Sequence, residues 1–305
     1  MAFDAFALML AMLALGMLFA RLRALPANAA ETLNLLALYV CLPAAMLITL
    51  PKLRFDASLL GLALVPWLLA GASWGLLWLL QRWLHFRRDE FAALLMCVML
   101  GNTSFVGYPM VTALLGASSL PYAVIYDQFG TFLLLSTVGL LALAHYSGER
   151  RPTPREMALR VARFPPVWAL AFGLTLMPEH PPAWIASALE ALAGVLLMLV
   201  MLAVGLTIRL RLPRDEIAPL ATGLVLKLGV LPLLALPLAA MFGLRGAPLH
   251  VAVLESAMPT MITAAAMTVS HGLAPRLAAA LVGYSIVLSM AMLPLWAFAL
   301  QRFIG

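Results

Sequence analysis

Charge is scarce in this sequence. Of its 305 residues, 10% are Asp, Glu, Lys or Arg, against about 25% in soluble domains, while 64% are hydrophobic and the mean hydropathy is +1.02. No soluble fold hides that much apolar surface. Cysteine is nearly missing: Cys41 and Cys97 both lie inside apolar runs, which argues against a disulfide framework or paired metal-ligand spacing and for small buried residues. Lysine is rare too, 2 of the 19 basic residues, a bias that fits a GC-rich bacterial genome. Enzyme signatures are lacking: H-E-x-x-H, P-loop and dinucleotide fingerprint do not occur, and the five histidines are scattered. No catalytic residue, cofactor or metal is expected. The net charge of +6 and pI near 9.8 do not indicate nucleic acid, because the basic residues form short clusters between apolar runs, as membrane topology requires.

What the sequence has is apolar runs, at roughly 4–20, 33–50, 58–81, 91–115, 119–145, 162–178, 184–208, 217–243, 248–271 and 276–301. Each approaches the ~20 residues of a bilayer crossing, predicting an all-α integral membrane protein of ten helices. The first run is not a secretory signal, since Asp4 precedes it and Arg21 and Arg23 follow it. With the N-terminus outside, fourteen basic residues face the cytoplasm: Arg21, Arg23, Arg82, Arg87, Arg88, Arg150, Arg151, Arg155, Arg160, Arg163, Arg209, Arg211, Arg214 and Arg276. Four face outward, Lys52, Arg54, Arg245 and Arg302. This bias places both termini outside, in what is expected to be a bacterial inner membrane.

The polar stretch 146–160, with Pro152 and Pro154, divides the chain into halves of five spans, 1–145 and 161–305. Five is odd, so a duplicated second half enters the membrane upside down, the inverted-repeat architecture. Leu33 to Asp56 shares its rhythm with Leu189 to Asp215, and Pro109 in span four has a counterpart in Pro259 in span nine.

Those two spans carry the candidate chemistry. Gly101-Asn102-Thr103-Ser104-Phe105-Val106-Gly107-Tyr108-Pro109 and Glu255-Ser256-Ala257-Met258-Pro259-Thr260 are polar stretches in mid-span, where proline removes a donor and clashes with the preceding turn. Broken helices survive at membrane depth only where protein or a wet cavity satisfies the freed backbone. Proline favours the first turn of a helix, so half-helices are expected to restart at Pro109 and Pro259 with their N-termini turned to the centre, where they would attract an anion. Ionisable groups inside spans face the bundle interior. Asp127, Lys227 and Glu255 are therefore candidates for charge balance or coupling, with an Asp127–Lys227 ion pair as one arrangement. His250 and His271 read as solvated flanks.

Asn102-Thr103, Gly107-Tyr108-Pro109-Met110 and Leu115-Gly116 resemble the fourth-helix signature of the auxin efflux carrier family, in its shorter, permease-type bacterial members. Asn34 and Pro43 in span two, Ala257-Met258-Pro259 in span nine, and Ser289 with Leu293-Pro294 in the last span are similar to that family as well. The resemblance implies two inverted five-helix repeats in which spans four and nine break and cross at their prolines. Spans three to five and eight to ten would move against a scaffold of spans one, two, six and seven, which would also form a homodimer. It implies secondary transport of small organic anions such as carboxylates. Asn102, Thr103, Ser104, Gly107 and Pro109 would contact substrate from one side, Ser256, Pro259 and Thr260 from the other, and Asn34 and Pro43 of span two would also bind it. A sodium- or proton-coupled symporter or antiporter of the same architecture, similar to bile-acid symporters, is the alternative. A channel, receptor or scaffold stands further off.

Overall fold

The described residues form helices and the connections between them in a computed structural model, which describes residues 2–26, 28–53, 58–208, 210 and 214–303. Arg54, Asp56, Arg209 and Arg211, used in the charge and repeat readings, lie outside the described residues. In chain order the helices are α1 (Ala2–Leu22), α2 (Ala29–Lys52), α3 (Ser58–Leu84), α4 (Arg88–Met99), α5 (Thr103–Leu115) and α6 (Ala117–Ser147). There follow α7 (Pro154–Ala162), α8 (Pro165–Thr175), α9 (Ala183–Thr207), α10 (Ile217–Met241), α11 (Ala247–Ser256), α12 (Ile262–Ser270) and α13 (Pro275–Phe303).

Six of these, α2, α3, α6, α9, α10 and α13, are long and apolar enough to cross a membrane. The apolar parts of α1 and α5 are shorter. Leu60, Trp83, Trp184, Met241 and Phe298 are among many large apolar side chains exposed on the outside, a surface that lipid covers and water would not tolerate. The chain is an integral membrane protein. All ten apolar runs are helical over most of their length, and two of them, 91–115 and 248–271, are each split, into α4 with α5 and α11 with α12.

Small residues let the outer helices approach. On α1 and α9, Gly16 faces Gly205, and a Cβ at either position would meet the other's Cα at 2.9 Å. A second packing layer joins α3, α4, α10 and α13 through Leu62, Leu94, Leu231 and Leu281.

Several long helices contain π-turns, and three of these precede a proline by two residues: Ala37–Cys41 before Pro43, Thr103–Gly107 before Pro109, and Leu226–Val230 before Pro232. A proline ring collides with the carbonyl four residues back, and the wider π-turn moves that carbonyl aside. One such carbonyl, that of Leu228, accepts the Trp296 indole N–H at 3.0 Å. In the π-turn Asp127–Thr131 the carbonyl of Phe129 accepts the Trp67 indole N–H at 2.9 Å.

Candidate functional site

The two helix breaks meet. Gly101 and Thr260 form an antiparallel β-bridge, in which the Asn102 N–H donates to the Pro259 carbonyl at 2.7 Å and the Met261 N–H to the Leu100 carbonyl at 3.0 Å. Backbone groups that each break would leave orphaned inside a membrane thus satisfy one another. Thr260 adds two bonds. Its N–H donates to Ser285 Oγ on α13 at 3.0 Å, and its hydroxyl to the Cys97 carbonyl, near the C-terminus of α4, at 3.0 Å.

The restart points differ from those expected at the prolines. The helix resumes at Thr103, six residues before Pro109, and the Asn102 carbonyl accepts from Val106 at 3.2 Å and Gly107 at 2.9 Å. Pro109 sits in the second turn, where the preceding π-turn makes room for its ring. On the other side the chain resumes at Ile262, after Pro259. Proline disfavours helical backbone in the residue before it, so Pro259 holds the extended stretch and contributes its carbonyl to the bridge. The first-turn amides, which lack intrahelical partners, are those that open α5 and α12. The amides of Thr260 and Met261 are already engaged.

Three buried ionisable groups surround the crossing, in different circumstances. Asp127, fully buried on α6, accepts from Thr103 Oγ1, from Ser104 Oγ at 2.7 Å, from Tyr108 Oη at 2.8 Å and from Gln128 Nε2 at 2.7 Å. The anticipated pairing of Asp127 with Lys227 is not formed, because the first turn of α5 supplies the donors that occupy the carboxylate. Lys227 instead lies on α10 against Gly101, where a Cβ would meet Nζ at 3.0 Å. It shares a void of about 10 Å³ with Glu255, Ser256, Thr103 and Tyr126, room for one water molecule. Glu255 is fully buried on α11, and among the described residues neither carboxylate oxygen has a hydrogen-bond partner. It packs against Gly107, where a Cβ would meet Oε1 at 2.7 Å; a larger residue there requires the carboxylate to move.

Asn102 is 1% exposed, and both polar atoms of its side-chain amide lack a partner among the described residues. Ser256 turns its hydroxyl back to the Val253 carbonyl at 2.6 Å. A cavity of about 950 Å³ lies beside the crossing, lined there by Ser104, Phe105, Ile262 and Thr263, by Asn34 from α2, and by Arg160 and Arg163 further out. Pro43 is half-buried in α2 and lines neither space; its local effect is the π-turn before it. Sequence reasoning missed Ser136, a fully buried residue of α6 that lines the same cavity, because a serine in an apolar run gives no pattern.

The charged helix ends gather at one end of the molecule. Arg87 and Arg276 both reach Glu216, at 3.5 and 3.8 Å, and His271 pairs with Glu149 at 3.4 Å. His271 is thus bound rather than merely solvated.

The sequence relatives of this helical membrane protein with two interrupted, bridged helices are transporters. A family model described as membrane transport protein matches residues 1–297, and the chain belongs to this family, the auxin efflux carriers. An uncharacterized transporter of Methanothermobacter thermautotrophicus (strain Delta H) is 30% identical over 298 residues, covering 95% of this chain and 96% of the relative. An uncharacterized transporter of Methanocaldococcus jannaschii is 24% identical over 284 residues, covering 89% and 90%.

Proposed function

We propose that this transporter is a secondary carrier that moves small organic anions, such as carboxylates, by alternating access. The observation that carries the reading is the crossing itself. Two helix N-termini open beside one cavity, next to the unpartnered, buried amide of Asn102. Such termini offer free N–H groups and a positive dipole end. In this reading Asn102, Thr103, Ser104 and Gly107 serve the substrate from one side and Ser256, Pro259 and Thr260 from the other, while Asn34 lines the approach.

The moving block is α3 to α6 with α10 to α13, sliding against α1, α2, α8 and α9. Ten spans in two inverted repeats, 1–145 and 161–305 joined by 146–160, form the frame. Support comes from the paired breaks and from the two indole clips: Trp67 of α3 binds α6, and Trp296 of α13 binds α10. The gathered basic ends are assigned to the cytoplasm by the charge rule, both termini to the outside and the whole to a bacterial inner membrane. A homodimer would form through the scaffold helices.

Lys227 and Glu255, facing one void, favour a second reading in which proton or sodium movement is coupled to transport at that point. Ion dependence of the flux separates the two.

The test is thermal stability of the purified protein in detergent with carboxylates, aromatic acids, amino acids and cations, since a ligand that binds only the folded state raises it. Stabilisation by organic acids, lost in Asn102→Ala, is expected. Stabilisation by sodium and by no acid would replace the anion reading with the coupled one.

A further inference from the structure

The outer part of the large cavity has its own chemistry, which neither the crossing nor the family assignment uses. One wall is α7, a short helix bearing Glu156, Leu159 and Arg160, followed by Arg163. The helix is fixed at both ends. Thr153 caps it, accepting from the Glu156 N–H at 3.3 Å, while the Glu156 carboxylate accepts from the Thr153 N–H at 2.7 Å, a capping box. At the other end the Trp168 indole N–H donates to the Ala162 carbonyl at 2.7 Å, and Phe164 stacks on Phe132 of α6 with ring centres 4.0 Å apart.

The charges on this wall are not balanced. Glu156 is occupied by its own cap and by Arg150. The backbone and hydroxyl hydrogen bonds from Thr153 hold its carboxyl below the ordinary range. Among the described residues Arg160 and Arg163 form no ion pair, and Arg160 Nη2 lies 3.4 Å from the Met267 sulfur. The remaining acid on the cavity, Glu31, is outnumbered by the two guanidiniums.

A second, independent observation lies deeper. Ser136 is 0% exposed, lines the same cavity, and its hydroxyl has no partner among the described residues. A helical serine or threonine ordinarily bonds back to the preceding turn, as the neighbouring Thr137 does to the Leu133 carbonyl at 2.6 Å. Phe105, Phe132 and Phe164 supply apolar wall around these polar groups.

We propose that Arg160, Arg163 and Ser136 form an outer anion-capture station, separate from the crossing, that concentrates a carboxylate in the cavity before it reaches Asn102. The inference rests on the anion-carrier reading of the site. Arginine matches a carboxylate with paired donors, and two guanidiniums facing a single acid not already paired, Glu31, raise the local concentration of an anion in a salt-dependent way. The two arginines are specificity residues that set KM and leave the transport step unchanged.

The experiment uses the full chain, with benzoate and malate as probes. Binding is measured by calorimetry in detergent, and transport in phosphatidylcholine vesicles at low and high salt. The double variant Arg160→Gln/Arg163→Gln is expected to raise KM about tenfold with kcat unchanged and to abolish its salt dependence. Ser136→Ala weakens binding about fivefold, while Arg155→Gln, an exposed change on the same helix outside the cavity lining, does nothing. An unchanged KM in the double variant, or an equal rise in Arg155→Gln, overturns the station and leaves the carrier reading standing. Binding that depends on the two arginines without any flux keeps the station and removes the carrier reading. No binding of either acid by the wild type overturns the station outright.

Discussion

The two halves of the crossing solve one problem by different means. In each, an interrupted helix must be held from behind by a later helix of the same half. In the first, Asp127 on α6 gathers donors from Thr103, Ser104 and Tyr108 on α5. In the second, Ser285 on α13 takes the Thr260 N–H alone. The first break is clamped by an ionisable group with every near donor engaged. The second is held by neutral hydroxyls, those of Ser285 and of Thr260 itself, and its own carboxylate, Glu255, has no donor among the described residues. A saturated carboxylate is a structural element, whereas an unsaturated one remains open to a proton, an ion or a substrate group.

That contrast predicts a ranking. Asp127→Ala strands several buried donors and is expected to destabilise the protein by at least about 3 kcal/mol, against roughly 1 kcal/mol for Ser285→Ala. Both are read from thermal unfolding in detergent, and equal losses would erase the distinction between the halves. Next comes Gly107→Ala, which drives a methyl into the Glu255 carboxylate and is expected to cost about 2 kcal/mol and to stop transport. Adding Glu255→Ala should restore the stability in a double-mutant cycle; additive losses would mean that the contact is irrelevant.

The smallest effect lies outside the crossing. The carboxyl of Glu156 is held below its usual range by the Thr153 cap, so its stabilisation is present above the unfolded value of about 4.3 and disappears as pH falls through the folded one. Acidification should lower hydrogen-exchange protection in α7 while leaving the bridge at Gly101 and Thr260 protected. Loss at both places together would show that α7 and the crossing open as one unit.

Much of this was legible in the residues. Runs of apolar sequence located the helices because a bilayer-spanning segment has a length requirement, and polar stretches at Asn102 and Ser256 marked the interruptions because such residues are costly in lipid. The positions of the restarts were not legible. Proline was read as a helix start, but Pro109 follows a π-turn and Pro259 lies in an extended stretch, two outcomes that a proline in an apolar run does not distinguish. The partner of Asp127 was missed for a related reason: charge suggests Lys227, whereas three-dimensional proximity favours hydroxyls that begin the next half-helix. Ser136 was invisible because its significance lies in a bond it does not make.

The bridge that joins the two interrupted helices consists of main-chain groups: the N–H of Asn102 with the carbonyl of Pro259, and the N–H of Met261 with that of Leu100. A clasp of this kind is indifferent to which side chains surround it. The junction can therefore survive exchange of the side chains around it, which leaves room for sequence divergence of the extent seen between this chain and relatives that share a quarter to a third of its residues.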